Sequence, residues 1–188
     1  MGEVELGYTF QKTKPMLTVD IFIPCFVDQL YPATAMHMVK VLDRVGVQVN
    51  YNPDQTCCGQ PAYNAGYVAQ SRAVAEKFLT DFAAPAAPET RYVVSPSASC
   101  VGMVRNSYND LFADTSAAQQ SACRAVQGRT YELTEFLVEV LGITAVPGAR
   151  LAGKYTYHDS CSGLRASVAL GPARAYCLMP WPAWGASR

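Results

Sequence analysis

The stretch Thr18-Val19-Asp20-Ile21-Phe22-Ile23-Pro24, which runs directly into Cys25, decides the fold. It is short, β-branched and apolar, and it ends at a proline, so it predicts a buried strand. Residues 31–45 then place Ala35, Met38, Leu42 and Val45 on one helical face, with Pro32 suited to a first turn and Gly46 to the position after the last. Val47-Gln48-Val49-Asn50-Tyr51 alternates as a second strand would. A loop carrying Thr56-Cys57-Cys58-Gly59-Gln60-Pro61 leads into an expected helix over 64–82, with Val68, Ala75, Phe78, Leu79 and Phe82 inward. The prolines of 83–89 mark a loop. Tyr92-Val93-Val94 reads as a third strand, after which a helix is expected near Ser97 or Ser99, either able to cap it. Residues 116–126 are helical in pattern. Residues 132–141 are more strongly so, with Leu133, Phe136, Leu137 and Val140 inward and Gly142 closing the helix. Lys154-Tyr155-Thr156-Tyr157-His158 reads as a fourth strand. This order implies an α/β fold, a parallel β-sheet flanked by helices in a Rossmann-like three-layer arrangement, joined by right-handed crossovers.

Composition narrows the function classes. The chain has 188 residues, half of them apolar, which is enough for a core without disulfide staples. Lys plus Arg equals Asp plus Glu, so the formal net charge is zero. A non-specific nucleic-acid binder needs a basic field to release phosphate counterions, and none is present. The first fifteen residues contain no apolar run of the secretory kind, and no apolar run is long enough to span a membrane. The expectation is a soluble cytoplasmic protein. Thiols stay reduced there, so seven cysteines, an odd number, call for a role other than disulfide pairing.

The cysteines have a pattern. Cys25 follows the first expected strand, Cys57 and Cys58 the second, Cys100 the third and Cys161 the fourth. In a parallel sheet those loops share the carboxyl edge, where ligands bind. Cys100 follows Ser97-Ala98-Ser99 at an expected helix start, where free N–H groups stabilise a thiolate. Two adjacent thiols diverge in a regular strand, so Cys57 and Cys58 need an irregular loop to aim at one centre, and Gly59 can supply the unusual backbone angle. The pattern points to an iron–sulfur cluster, with a zinc site and a reactive thiol pair as the alternatives. Cys123 lies in an expected helix and reads as core filling, and Cys177 is assigned no role.

These residues resemble a family. Cys25, then Cys57-Cys58-Gly59, then Cys100 is similar to the cysteine-rich CCG domain found in heterodisulfide reductases and in the iron–sulfur subunits of glycolate oxidase. Phe22 to Pro32, Gln55 to Asn64, Pro96 to Cys100 and Tyr157 to Cys161 resemble the lactate-utilisation iron–sulfur branch more closely. The resemblance covers residues 17–165. It implies an iron–sulfur electron-transfer subunit of a cytosolic complex that oxidises L-lactate to pyruvate. It also implies a [4Fe–4S]-type cluster on Cys25, Cys57, Cys58 and Cys100, with a ferredoxin-like iron–sulfur protein and a companion subunit as partners. A further family cysteine three positions after Cys100 is replaced by Met103. The family carries two such units. Residues 1–150 correspond to the first, and His158-Asp159-Ser160-Cys161 to the start of a second, making Cys161 its first cofactor ligand. After about residue 165 the text becomes rich in Ala, Pro and Trp, and the second unit is expected to be truncated or frameshifted there.

The other polar candidates carry less. His158 and Asp159 are expected to shape the Cys161 loop, since neighbours on a strand face opposite ways. His37, mid-helix between two methionines, reads as structural or surface. Ser97 and Ser99 lack a nucleophile elbow and read as caps. Tyr63 and Asn64 are expected to shape the cluster pocket. No G-x-G-x-x-G or Walker pattern is present, so no nucleotide site is expected.

Overall fold

The computed structural model describes residues 17–83, 91–149 and Cys161. Within them the order is β1 (Thr18–Ile21), α1 (Cys25–Leu30), α2 (Pro32–Arg44), β2 (Gln48–Tyr51), α3 (Gln60–Asn64), α4 (Val68–Asp81), β3 (Tyr92–Ser95), α5 (Ala98–Gly102), α6 (Tyr108–Leu111), α7 (Ala117–Gln127), β4 (Thr130–Glu132) and α8 (Leu133–Glu135). A π-helical turn, Met103–Ser107, joins α5 to α6, and a second, Phe136–Val140, extends α8. The strands form one sheet in the order β2-β1-β3-β4. All pairs are parallel, with Val19 opposite Val49 and Tyr92, and Val93 opposite Thr130.

Alternation along the strands makes the layers. Phe22 and Val93 face one side, where Ala75 and Phe78 of α4, Val104 and Tyr108 around the first π turn, and Val126 of α7 are buried. Ile21, Ile23 and Val94 face the other, packed with Val27 of α1, Met38 and Leu42 of α2, and Phe136. Successive side chains on a strand point to opposite faces, so a β-strand buried on both sides reads as continuous apolar text. That is why the 18–24 stretch identifies the centre of the sheet.

Local chemistry sets the ends. Pro32 opens α2. The same helix closes with Gly46 N–H on the Asp43 carbonyl and Val47 N–H on the Leu42 carbonyl, a Schellman pair. Ser116 and Gln119 form a capping box on α7, and Glu132 and Glu135 form one on α8.

The structure departs from expectation in three places. The helix foreseen over 64–82 begins only at Val68, because Gly66 takes φ 82° and the chain turns before α4, while Gln60–Asn64, where a loop was expected to lead in, is the short helix α3. Val68, the first residue of α4, is exposed rather than inward, while Ala75, Phe78, Leu79 and Phe82 are buried as expected. The strand beside β3 is Thr130–Glu132, where no strand is expected and Glu132 is expected to open a helix. The strand expected over 154–158 lies outside the described residues, as do His158, Asp159, Cys177 and the changed text beyond residue 165. Among the described residues no helix is long and apolar enough to cross a membrane.

Candidate metal centre

β1 lies between β2 and β3, so chain direction across the sheet reverses beside it, and such a switch point opens a crevice at the carboxyl edge. Cys25 begins α1 just past β1, Cys57 and Cys58 sit in the loop after β2, and Cys100 lies in α5 just past β3. Three strand ends thus deliver four thiols to one place. Cys25 Sγ donates to Cys57 Sγ at 3.4 Å. Cys58 lies within hydrogen-bond reach of both Cys57 and Cys100. The thiols form a row from solvent inward: Cys25 exposed, Cys57 half-buried, Cys58 and Cys100 buried at 1% and 8% exposure.

The backbone holds this row through one turn. Gly59 takes φ 82°, and a Cβ there would meet the Ser71 carbonyl oxygen and Oγ, each at 3.0 Å. Only glycine fits both the angle and the space. Ser71 Oγ donates to the Gly59 carbonyl at 3.0 Å, tying the turn to α4. Gly59 N–H donates to Cys57 Sγ at 3.4 Å, and the Tyr108 hydroxyl donates to the Cys58 carbonyl at 3.0 Å. Gln55 fastens the loop to the end of β1. Its Oε1 accepts from Ile23 N–H at 2.7 Å, while its Nε2 donates to the Ile21 and Asn52 carbonyls at 3.2 and 2.9 Å.

The row is electrostatically graded. The hydrogen bond from Cys58, with further help from Gly59 and Cys58 N–H and from Cys25, brings the Cys57 thiol down to about 5. Cys58, whose one thiol proton serves either Cys57 or Cys100, joins the Ser97 and Ser99 hydroxyls in bringing Cys100 down to about 7. Cys58 itself is pushed far up, first by its hydrogen bond to Cys100, then by that to Cys57 and by burial. Desolvation, then the bond to Cys57, raises Cys25 to about 11, although it opens a helix. Burial raises Tyr108, which keeps the phenol a donor.

Several expectations meet the structure here. Cys25, Cys57, Cys58 and Cys100 come together. Cys161 is exposed, and among the described residues the thiol contacts run through the other four only. All six described cysteines are free, and Cys123 fills the core as expected. Met103 is buried in the same core as Cys58 and Cys100. Ser97 stands at the N-cap of α5 but makes no capping bond. Its hydroxyl lies 3.3 Å from that of Ser99, and both turn to the Cys100 thiol, so these serines serve the site and not the helix end. Tyr63 packs against the same core as Cys57 and donates to Asp110 at 3.0 Å, Asn64 is exposed, and so is His37. Gln55, Ser71 and Tyr108 were not singled out by sequence reasoning. Gln55 alone carried a signal, standing inside the Cys-Cys-Gly stretch.

The donor set is entirely thiol, with two members already inclined to be thiolates. Soft thiolate sets are what iron–sulfur clusters and zinc take, and cluster sulfurs are further tuned by amide hydrogen bonds like that of Gly59. The residues therefore fit an iron–sulfur cluster in kind. Among the described residues no three His, Cys, Asp or Glu side chains are grouped so as to hold a metal ion.

The CCG family, described as a cysteine-rich domain, matches residues 19–105. Lactate utilization protein A of Halalkalibacterium halodurans is 43% identical over 145 residues, 77% of this chain and 56% of that protein. Lactate utilization protein A 1 of Bacillus mycoides is 41% identical over the same shares, and lactate utilization protein A of Bacillus licheniformis is 42% identical over 77% and 58%. The chain thus spans little more than half the length of these curated relatives. No solved structure matches it. Residues 19–105 thus carry the CCG cysteine-rich domain, and the chain is similar to the proteins named lactate utilization protein A.

Proposed function

We propose that Cys25, Cys57, Cys58 and Cys100 hold a [4Fe–4S]-type iron–sulfur cluster and that the chain is an electron-transfer subunit in the oxidation of lactate to pyruvate. The observation that carries the reading is the meeting of four thiols from three strand ends at the switch point of the sheet. Similarity to lactate utilization protein A supports the substrate system. The partners, a ferredoxin-like iron–sulfur protein and a companion subunit, and a cytoplasmic location belong to the proposal. So does Cys161 as first ligand of a second unit, following a first unit over residues 1–150.

When bound, the cluster supplies a store for single electrons. The chain's own residues prepare its place. Cys57 and Cys100, held low, give up their protons most readily on ligation. Gly59 N–H offers a hydrogen bond to ligand sulfur, and the apolar surroundings of Cys58 and Cys100 exclude water from the inner side. The test is anaerobic reconstitution with iron and sulfide, then metal and sulfide analysis with visible absorption. A brown protein with iron and sulfide in matching amounts is expected. A colourless one holding stoichiometric zinc overturns the reading.

The 3.4 Å contact between Cys25 and Cys57 favours one second reading, thiol–disulfide exchange. Cys57 thiolate would attack a disulfide, releasing one half as thiolate. Cys25 would displace the other half and leave a Cys25–Cys57 disulfide for an external dithiol to reduce. Disulfide turnover by the metal-free chain would distinguish it.

A further inference from the structure

The peptide unit between Cys58 and Gly59 is held at both ends. Its N–H donates to Cys57 Sγ at 3.4 Å, and its carbonyl accepts from the Tyr108 hydroxyl at 3.0 Å. A phenol, a peptide plane and a sulfur thus lie in series, and hydrogen bonds in series polarise one another in a low-dielectric interior. Tyr108 is completely buried, edge-on to Phe78 and Phe112 with ring centres 5.9 and 5.8 Å away. Its ring is fixed, so its hydroxyl has one place to go.

Tyr108 owes that place to the π turn. Cys100 and Tyr108 are eight positions apart on one helical run, and both reach Cys58, one by its thiol and one by its hydroxyl. At about 100° per residue, an unbroken α-helix would leave them about 80° apart around the axis. The turn at Met103–Ser107 inserts the equivalent of one residue, so the spacing behaves as seven and the offset falls to about 20°. Without it Tyr108 would be turned to the side of the Cys-Cys-Gly turn.

We infer that Tyr108 is a positioning residue of the cysteine centre: through the Cys58–Gly59 peptide its hydroxyl sets the orientation and strength of the hydrogen bond on Cys57 Sγ. The consequence for a cluster rests on the iron–sulfur reading. The consequence for the sulfur itself does not.

Tyr108→Phe in the full chain removes the hydroxyl and keeps the ring. In the metal-free protein, iodoacetamide alkylation of Cys57 at fixed pH, followed by peptide mass spectrometry, should speed up severalfold, because a sulfur relieved of its hydrogen bond is the better nucleophile. In the reconstituted protein the midpoint potential should move negative, since hydrogen bonds to ligand sulfur favour the reduced cluster. Placing 3-fluorotyrosine at position 108, a stronger donor of the same shape, should move both readouts the opposite way and serves if the phenylalanine variant does not fold. Phe136→Leu, on the opposite face of the sheet, is the control for lost stability and should move neither. The inference is overturned if fluorotyrosine changes nothing, or if Tyr108→Phe alters Cys57 no more than Phe136→Leu does. A chain that takes up no cluster sinks the iron–sulfur reading, while the alkylation result still decides Tyr108.

Discussion

The outer and inner halves of the thiol row are built differently. Cys25 opens α1 and Cys57 stands in the loop after β2, and side chains tie the two segments together, with Gln55 bridging the end of β1 and that loop. Exposed Phe26, Leu30 and Tyr31 lie beside Cys25. Cys58 and Cys100 are sunk in a core of Phe22, Phe78, Met103 and Tyr108, and there the packing does the holding. The outer half is thus reachable and adjustable, and the inner half is part of the fold. The turn at Gly59 belongs to both, since its N–H serves Cys57 and its Cα rests on Ser71.

The largest expected effect comes from breaking that shared turn. Gly59→Ala forces a side chain into φ 82° and to within 3.0 Å of two Ser71 atoms. The backbone angle alone costs about 1–3 kcal/mol. Thermal unfolding of the metal-free chain should show at least that loss, and cluster uptake should fail. A smaller effect separates the halves. Cys58→Ala should cost the metal-free protein about 1 kcal/mol through the space it leaves in the core. Cys25→Ala, at the surface, should stay within about 0.5 kcal/mol of the parent. Both should abolish stable iron retention. Equal destabilisation by the two, read from denaturant midpoints, would remove the distinction between the halves.

The smallest effect is one of order, not stability. In the metal-free chain at neutral pH, Cys57 is a thiolate and Cys25 a thiol, since they stand at about 5 and about 11. Iodoacetamide should therefore label half-buried Cys57 before exposed Cys25. The advantage should shrink as pH rises toward 11 and Cys25 ionises, and again as pH falls below 5 and Cys57 takes up its proton. Labelling that follows exposure alone would show that the graded row does not exist in solution.

Much of this was legible in the text of the chain. Thr18–Ile21 and Tyr92–Ser95 are dense in β-branched and apolar residues because both faces of the sheet are covered. Four cysteines at strand ends foretold a meeting place that the parallel topology supplies. β4 was not legible, because Thr-Tyr-Glu is too short to show a period and its glutamate also begins a capping box. Gly66 was visible, but a glycine inside a helical pattern does not say whether the helix tolerates it or stops. The serines before Cys100 looked like caps because capping is their commoner use, whereas a buried thiol nearby drew them away from the helix end. Tyr108 was hidden most thoroughly. Counting along an ideal helix turns it well aside from Cys100, and only the π turn corrects the count.

The position of β1 has a consequence for how the protein is made. β1 is central in the sheet yet emerges first from the ribosome among the four strands. Once β2 has joined it, Cys25, Cys57 and Cys58 are all present, but the partner that buries Cys58, Cys100, is still to be synthesised with the segment after β3. A nascent chain therefore passes through a stage with three assembled thiols and an open inner side. On the proposed iron–sulfur reading, loading before that side closes would trap an incompletely ligated cluster, so delivery would wait for roughly the first hundred residues to fold, in surroundings reducing enough to keep the early thiols apart.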